Sequence, residues 1–322
     1  MTLQLESDQA HKSISIGEAL SEAFSPLFSN LKAAFKFAIL PSITMVFIVA
    51  ISLFLMPTPE GSAETLQPEF TLGFFIGEIA IFALVLLVFF QFYAAWVRFI
   101  HKDESSIAST FILNLKKRHF ILLGKGFVFW IATYLALLII SLIIGLISYF
   151  LITAIREIDF QGMESAQETM IAIGILTIPL VLCLLAISSI FVLRFFYIFP
   201  AAALGESYGF LTSWKHTRKQ SLRLFASFFI LSIIITLGMG ILFLVVAGIF
   251  STFLFSSDAF TTLENPIEVL SSPAILLSII PVYFGIIILS MVSYIPFINM
   301  HNYCFRTNTG WQNDEQIAER FS

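Results

Sequence analysis

Residues 192–230, VLRFFYIFPAAALGESYGFLTSWKHTRKQSLRLFASFFI, decide the fold. An apolar run ends at Arg194, a short amphipathic stretch follows, and a second apolar run begins at about Leu224. Working outward, the chain holds six such runs, at about 37–56, 71–96, 127–153, 169–193, 224–256 and 272–300. Each is long enough to cross about 30 Å of hydrocarbon at about 1.5 Å per residue. A mean hydropathy of +0.93, with 58% hydrophobic and only 12% charged residues, excludes a soluble globular domain, in which about a quarter of residues are charged. The 37 phenylalanines supply lipid-facing bulk. The sequence therefore predicts an all-α integral membrane bundle of six transmembrane helices in one polytopic domain. Pro41, Pro179, Pro281 and Pro296 lie in or near the runs and are expected to kink them, which helix neighbours in a bundle tolerate.

The basic residues orient the bundle. Lys12, Lys32 and Lys36 precede the first run; Arg98, Lys102, Lys116, Lys117, Arg118 and Lys125 lie between the second and third; Arg194, Lys215, Arg218, Lys219 and Arg223 lie between the fourth and fifth; Arg306 and Arg320 follow the sixth. Of 17 basic residues only Arg156 falls on the opposite side. The loops on that side are acidic, with Glu60, Glu64 and Glu69, then Glu157, Asp159, Glu164 and Glu168, then Asp258, Glu264 and Glu268. The positive-inside rule then makes both termini cytoplasmic, with residues 301–322 as a cytoplasmic tail. The first apolar run follows a polar segment holding Glu6, Asp8, Glu18 and Glu22, so no cleavable signal is expected.

The same pattern suggests three tandem helical hairpins, each preceded by an interfacial amphipathic elbow. Arg98 in WVRF aligns with Arg194 in VLRF, Glu104-Ser105 with Glu206-Ser207, Thr110 with Thr212, and Lys116-Lys117 with Arg218-Lys219. The N-terminal amphipathic segment, 13–36, opens with a capping box, Ser15 and Glu18, in which side chains satisfy the first free N–H groups of a helix. Ile16, Ala19, Leu20, Ala23, Phe24, Leu27, Phe28 and Leu31 then recur at helical spacing. Such a helix beside a span is expected to lie along the membrane surface, bent at Pro26. In the third elbow, Tyr208, Leu211 and Trp214 precede Lys215, His216, Arg218 and Lys219.

Two readings of the cations stand side by side. Arg98, Lys116, Lys117, Arg194, Lys215, Arg218 and Lys219, with Trp214 at the headgroup layer, either fix topology and touch lipid phosphates generically or form a site for an anionic phospholipid headgroup. Glu78, in GFFIGEIAIF, is the one candidate intramembrane carboxylate, set either two turns inside the second span or in the outer headgroup layer. Gln91 is suited to hydrogen-bonding a neighbouring helix. No catalytic motif, cofactor fingerprint or metal-ligating spacing is found: His101, His119, His216 and His301 form no zinc-peptidase pair, Cys183 and Cys304 are isolated thiols, and the Gly238-Met239-Gly240 triplet reads as a packing point.

The unit at 194–230, with an Arg at a span end, an aromatic run, Pro200-Ala201, Ala203-Leu204, Ser213-Trp214 and Thr217, resembles the membrane domain fused to some bacterial glycerophosphodiester phosphodiesterases, and related inner-membrane proteins of uncharacterised function. It departs from that pattern at Gly205-Glu206 and Lys219-Gln220. The resemblance implies a membrane module of a bacterial cytoplasmic membrane and carries over no active site. The expected function is non-enzymatic, in envelope or lipid homeostasis, binding anionic phospholipid or scaffolding a protein partner or second copy. The alternative is a small-molecule or lipid transporter using Glu78 and a cavity between kinked helices. Nucleic acid is not an expected partner, because the basic clusters abut membrane spans.

Overall fold

The computed structural model describes residues 13–55, 72–101, 117–157, 166–256 and 273–311. Lys116 and the greater part of the three acidic connections lie outside the described residues, as does the stretch 102–116 that aligns with the third elbow. All described secondary structure is helical: α1 (Ile16–Ser29), α2 (Leu31–Leu55), α3 (Leu72–Ile100), α4 (Lys117–Glu157), α5 (Ala166–Leu193), α6 (Ile198–Leu204), α7 (Phe210–Thr217), α8 (Ser221–Ser256) and α9 (Pro273–Thr309). Six of these, α2, α3, α4, α5, α8 and α9, are long and apolar enough to cross a membrane, as in a multi-pass membrane protein.

Helix α1 starts where the capping box places it, with Ser15 Oγ accepting from the Glu18 N–H. It runs through Pro26 and stops at Asn30, whose side chain donates back to the Pro26 carbonyl at 3.1 Å. Residues 31–36 thus belong to the same helix as the first apolar run. The inward stripe of α1 is Ala19, Ala23 and Leu27, while Phe28, at 69% exposure, and Leu31 face outward. The two alanines carry so little side chain that α1 seats closely on α9, where Asn299 Nδ2 donates to the Ala23 carbonyl at 2.8 Å and Tyr303 to the Glu18 carboxylate at 2.8 Å.

Around the bundle, α3, α4, α5, α8 and α9 are neighbours in turn, and α2 packs outside against α3 and α9. The fully buried residues gather toward one end. They include Phe92 to Val97 of α3, Leu122 of α4, Leu193 of α5, Leu224 and Leu231 of α8, and Ile295, Ile298, Met300, Cys304 and Phe305 of α9. Beyond Leu122, the described side chains of α4 are all exposed or half-buried, including Leu135, Leu138, Leu142 and Phe150. The packed end is also the end that carries the described basic side chains of α3, α4, α7, α8 and α9.

One feature departs from the sequence reading. Helix α9 does not end near residue 300 but continues to Thr309, with His301, Asn302, Cys304, Phe305 and Asn308 buried. Asn302 and Asn308 stay inside because they hydrogen-bond groups outside α9, His101 for the first and Gln220, Tyr197 and the His216 carbonyl for the second. In the third elbow, Tyr208 is buried and Leu211 is 78% exposed. The buried side chains of α7 are Ser213 and Thr217.

Candidate functional site

The quoted stretch folds into a tight reversal at the packed end. Tightened turns at 194–197 take up the last carbonyls of α5, with Arg194, Phe195 and Phe196 N–H donating to Phe191, Val192 and Leu193. The Arg194 carbonyl, just past the helix, receives two hydroxyls, Ser213 Oγ at 2.6 Å and Thr217 Oγ1 at 3.1 Å. The guanidinium of Arg194 donates from Nε to Ser221 Oγ at 3.0 Å and lies 4.4 Å from the centre of the Trp214 ring. Phe191 and Phe195 flank the same indole at 5.1 and 5.4 Å. Arg194 and Trp214 therefore lock α5 to α7 and α8.

Helix α6 is buried from Ile198 to Ala203 and fills the space between α3, α4 and α9. It closes with a Schellman cap. Gly205, at φ +88°, donates to the Ala202 carbonyl at 3.2 Å, and Glu206 donates to Ala201 at 2.8 Å. The chain then emerges, with Lys125 Nζ donating to the Tyr208 carbonyl at 3.0 Å and the Tyr208 hydroxyl 2.6 Å from His216 Nδ1. Burial pushes the Tyr208 phenol up from its ordinary pKa, so it stays protonated.

A polar network joins these pieces to the ends of the chain. Gln220 Oε1 accepts from the Ile14 N–H at 2.8 Å, and its Nε2 donates to Asn308 Oδ1 at 3.2 Å. Asn308 Nδ2 donates to the His216 carbonyl at 2.8 Å. Farther along, Trp311 Nε1 donates to the Glu206 carboxylate at 3.1 Å, and its ring packs edge-on against His101 at 5.0 Å. Burial holds the His101 imidazole below its ordinary pKa, and Arg306 adds to that effect while Asn302 opposes it.

Next to this reversal, between the spans, lies a cavity of about 700 Å³. Walls come from α3, α4, α5, α8 and α9, with Phe196 of the turn and Phe199 of α6 completing them. Aromatic rings dominate the lining, among them Phe89, Phe90, Trp130, Phe228 and Phe297, and among the described residues no Lys, Arg, Asp or Glu lines it. Two of the lining hydroxyls are satisfied within their own helices, Thr133 by the Phe129 carbonyl and Ser189 by that of Leu185. Gly126 lets α4 approach α3, for a Cβ there would overlap the Phe90 ring.

The predicted site residues divide accordingly. Arg194 and Trp214 are brought together with Ser221. Lys215, Arg218 and Lys219 are exposed on the α7–α8 corner with Arg223, and Lys117 is exposed at the start of α4. Arg98 is half-buried in the last turn of α3 and is not a free cation. Glu78 is half-buried in α3 and does not line the cavity. Gln91 is buried on the side of α3 that faces Phe37 and Pro41 of α2. Among the described residues, no three His, Cys, Asp or Glu come together as a metal set.

No family model, curated protein or solved structure matches the chain. The residues themselves carry the functional argument. The sequence offered a cavity only as an alternative and named none of its walls, because its phenylalanines and leucines are the same residue types that face lipid. Only the serines and threonines at its wall, spaced along apolar runs, hinted at an inner face.

Proposed function

We propose that this chain is a non-enzymatic lipid-handling protein of a bacterial cytoplasmic membrane, one that draws the hydrocarbon part of a lipid into its interior. The observation that carries this reading is the uncharged, aromatic-lined cavity of about 700 Å³ between the spans. That volume falls in the range of small-molecule sites, about 300–1,000 Å³. Inside a bilayer the readiest occupant of such a space is a lipid chain, which matches its apolar walls.

The exposed cations support the same reading from outside. Lys215, Arg218, Lys219 and Arg223 stand on one corner of the bundle. Juxtamembrane Lys or Arg attracts an anionic leaflet by about 1 kcal/mol each. On the positive-inside rule, the reading sets that corner and both termini on the cytoplasmic side. Transport is the weaker alternative, since Glu78, the carboxylate it would use, stands away from the cavity.

The test obstructs the cavity. Thr133 and Ser232 line it from α4 and α8, and Thr133→Phe with Ser232→Phe would put two further rings into it. Native mass spectrometry of the protein released from nanodiscs should show bound lipid on the wild type and little on the double variant, both melting at similar temperature. Equal lipid on both would overturn the reading.

A further inference from the structure

We propose that the cavity's ligand is an uncharged long-chain lipid carrying a free hydroxyl, recognised by Tyr93 and His301; this rests on the lipid-binding reading above and names its substrate class. Both residues line the cavity, on facing helices α3 and α9, with ring centres 6.4 Å apart. Tyr93 Oη and His301 Nε2 are sealed from solvent and have no hydrogen-bond partner among the described residues. Burying a polar group unpaired costs on the order of 1–3 kcal/mol, and native folds seldom leave two such groups at one place. Two of the hydroxyls elsewhere in the lining show the contrast, since Thr133 and Ser189 are paired within their helices.

The chemistry of the missing partner follows from the two groups. A phenol donates one hydrogen bond and also accepts, and an imidazole nitrogen donates or accepts according to tautomer. A hydroxyl does both and so complements the pair in either state. A phosphate or carboxylate would enter a wall that holds no cation, where an unpaired charge is far costlier than a neutral group. The ligand's polar end is therefore neutral.

Access is controlled by phenylalanines. Phe196 and Phe228 sit against the His301 ring at 4.3 and 4.8 Å, Phe199 packs edge-on to Tyr93 at 6.5 Å, and all three also line the cavity. A small swing of these rings uncovers the polar pair without breaking a hydrogen bond, because phenylalanine makes none. The lipid chain would occupy the aromatic space and its hydroxyl would reach past these rings.

The experiment offers the nanodisc-reconstituted protein three probes of equal chain length: dioleoylglycerol, its acetyl ester in which the free hydroxyl is blocked, and dioleoylphosphatidic acid. Retention of each is measured by native mass spectrometry. Wild type is expected to retain dioleoylglycerol about tenfold better than the ester, a ratio that one or two hydrogen bonds supply. Tyr93→Phe, which keeps the ring and removes an unpartnered hydroxyl, should fold normally and bring that ratio close to one, as should His301→Leu. Equal retention of free and blocked hydroxyl by the wild type overturns hydroxyl recognition, with a buried water then the partner of the pair, while chain binding stands. Preference for phosphatidic acid overturns it in favour of the cationic corner. Failure to retain any probe, in wild type and in the Thr133→Phe/Ser232→Phe form alike, overturns both this inference and the reading on which it rests.

Discussion

Asn308 holds three parts of the molecule with one amide: it accepts from Gln220 and donates to the His216 carbonyl and, at 3.3 Å, to the Tyr197 hydroxyl. Gln220 in turn holds Ile14, so removal of one side chain loosens α7, α8, α9 and the N-terminal segment together. Asn308→Ala is expected to cost about 1–3 kcal/mol, because it strands buried partners. Chemical denaturation in detergent should show it, and Thr307→Ala, one position away and only half-buried, should change little. None of this was legible in HNYCFRTNT, which reads as a polar tail because composition cannot say that Asn302 and Asn308 find partners from other helices. The Ser15 capping box was legible because its two members are three residues apart and need no tertiary structure.

At the level of the elements, close approach is set by small residues. Gly124 and Gly126 both lie on α4, two positions apart, yet a Cβ at Gly124 meets nothing within 4 Å whereas one at Gly126 runs into Phe90. Gly124→Ala is therefore expected to stabilise α4 by up to about 1 kcal/mol from helix propensity alone. Gly126→Ala should destabilise instead, since Phe90 is stacked on Phe199 at 5.8 Å and must shift. Thermal melting of the two variants side by side checks the difference in sign. Long spans were readable from length and hydropathy, but α6 was not. IFPAAAL is too short to cross a membrane, and its burial on every side comes from the neighbours that close around it. Its stop at Gly205 follows from a left-handed backbone that only the folded cap reveals.

For the whole molecule, the sequence made six spans and a one-sided distribution of charge readable because both are summed along the chain. How the spans enclose space was not, for an apolar side chain facing a cavity and one facing lipid satisfy the same pattern. The proposed orientation makes a simple forecast. In a chain freed of Cys183 and Cys304, a Lys215→Cys label should react with an impermeant maleimide in inside-out vesicles and stay protected in right-side-out ones; the reverse would invert the topology. The contact between Ile14 and Gln220 has a further consequence, in time rather than space. These groups are 206 residues apart, so at a synthesis rate of about 5–20 residues per second the first waits on the order of 10–40 s for the second to be made. The Ala23 carbonyl waits longer still, for Asn299. Until α9 is inserted, α1 has only α2 and α8 beside it and lacks the helix on which it mainly seats, so its Ala23 carbonyl goes without the Asn299 amide. Insertion of α9 is thus the step that completes the packing of α1 in the nascent chain.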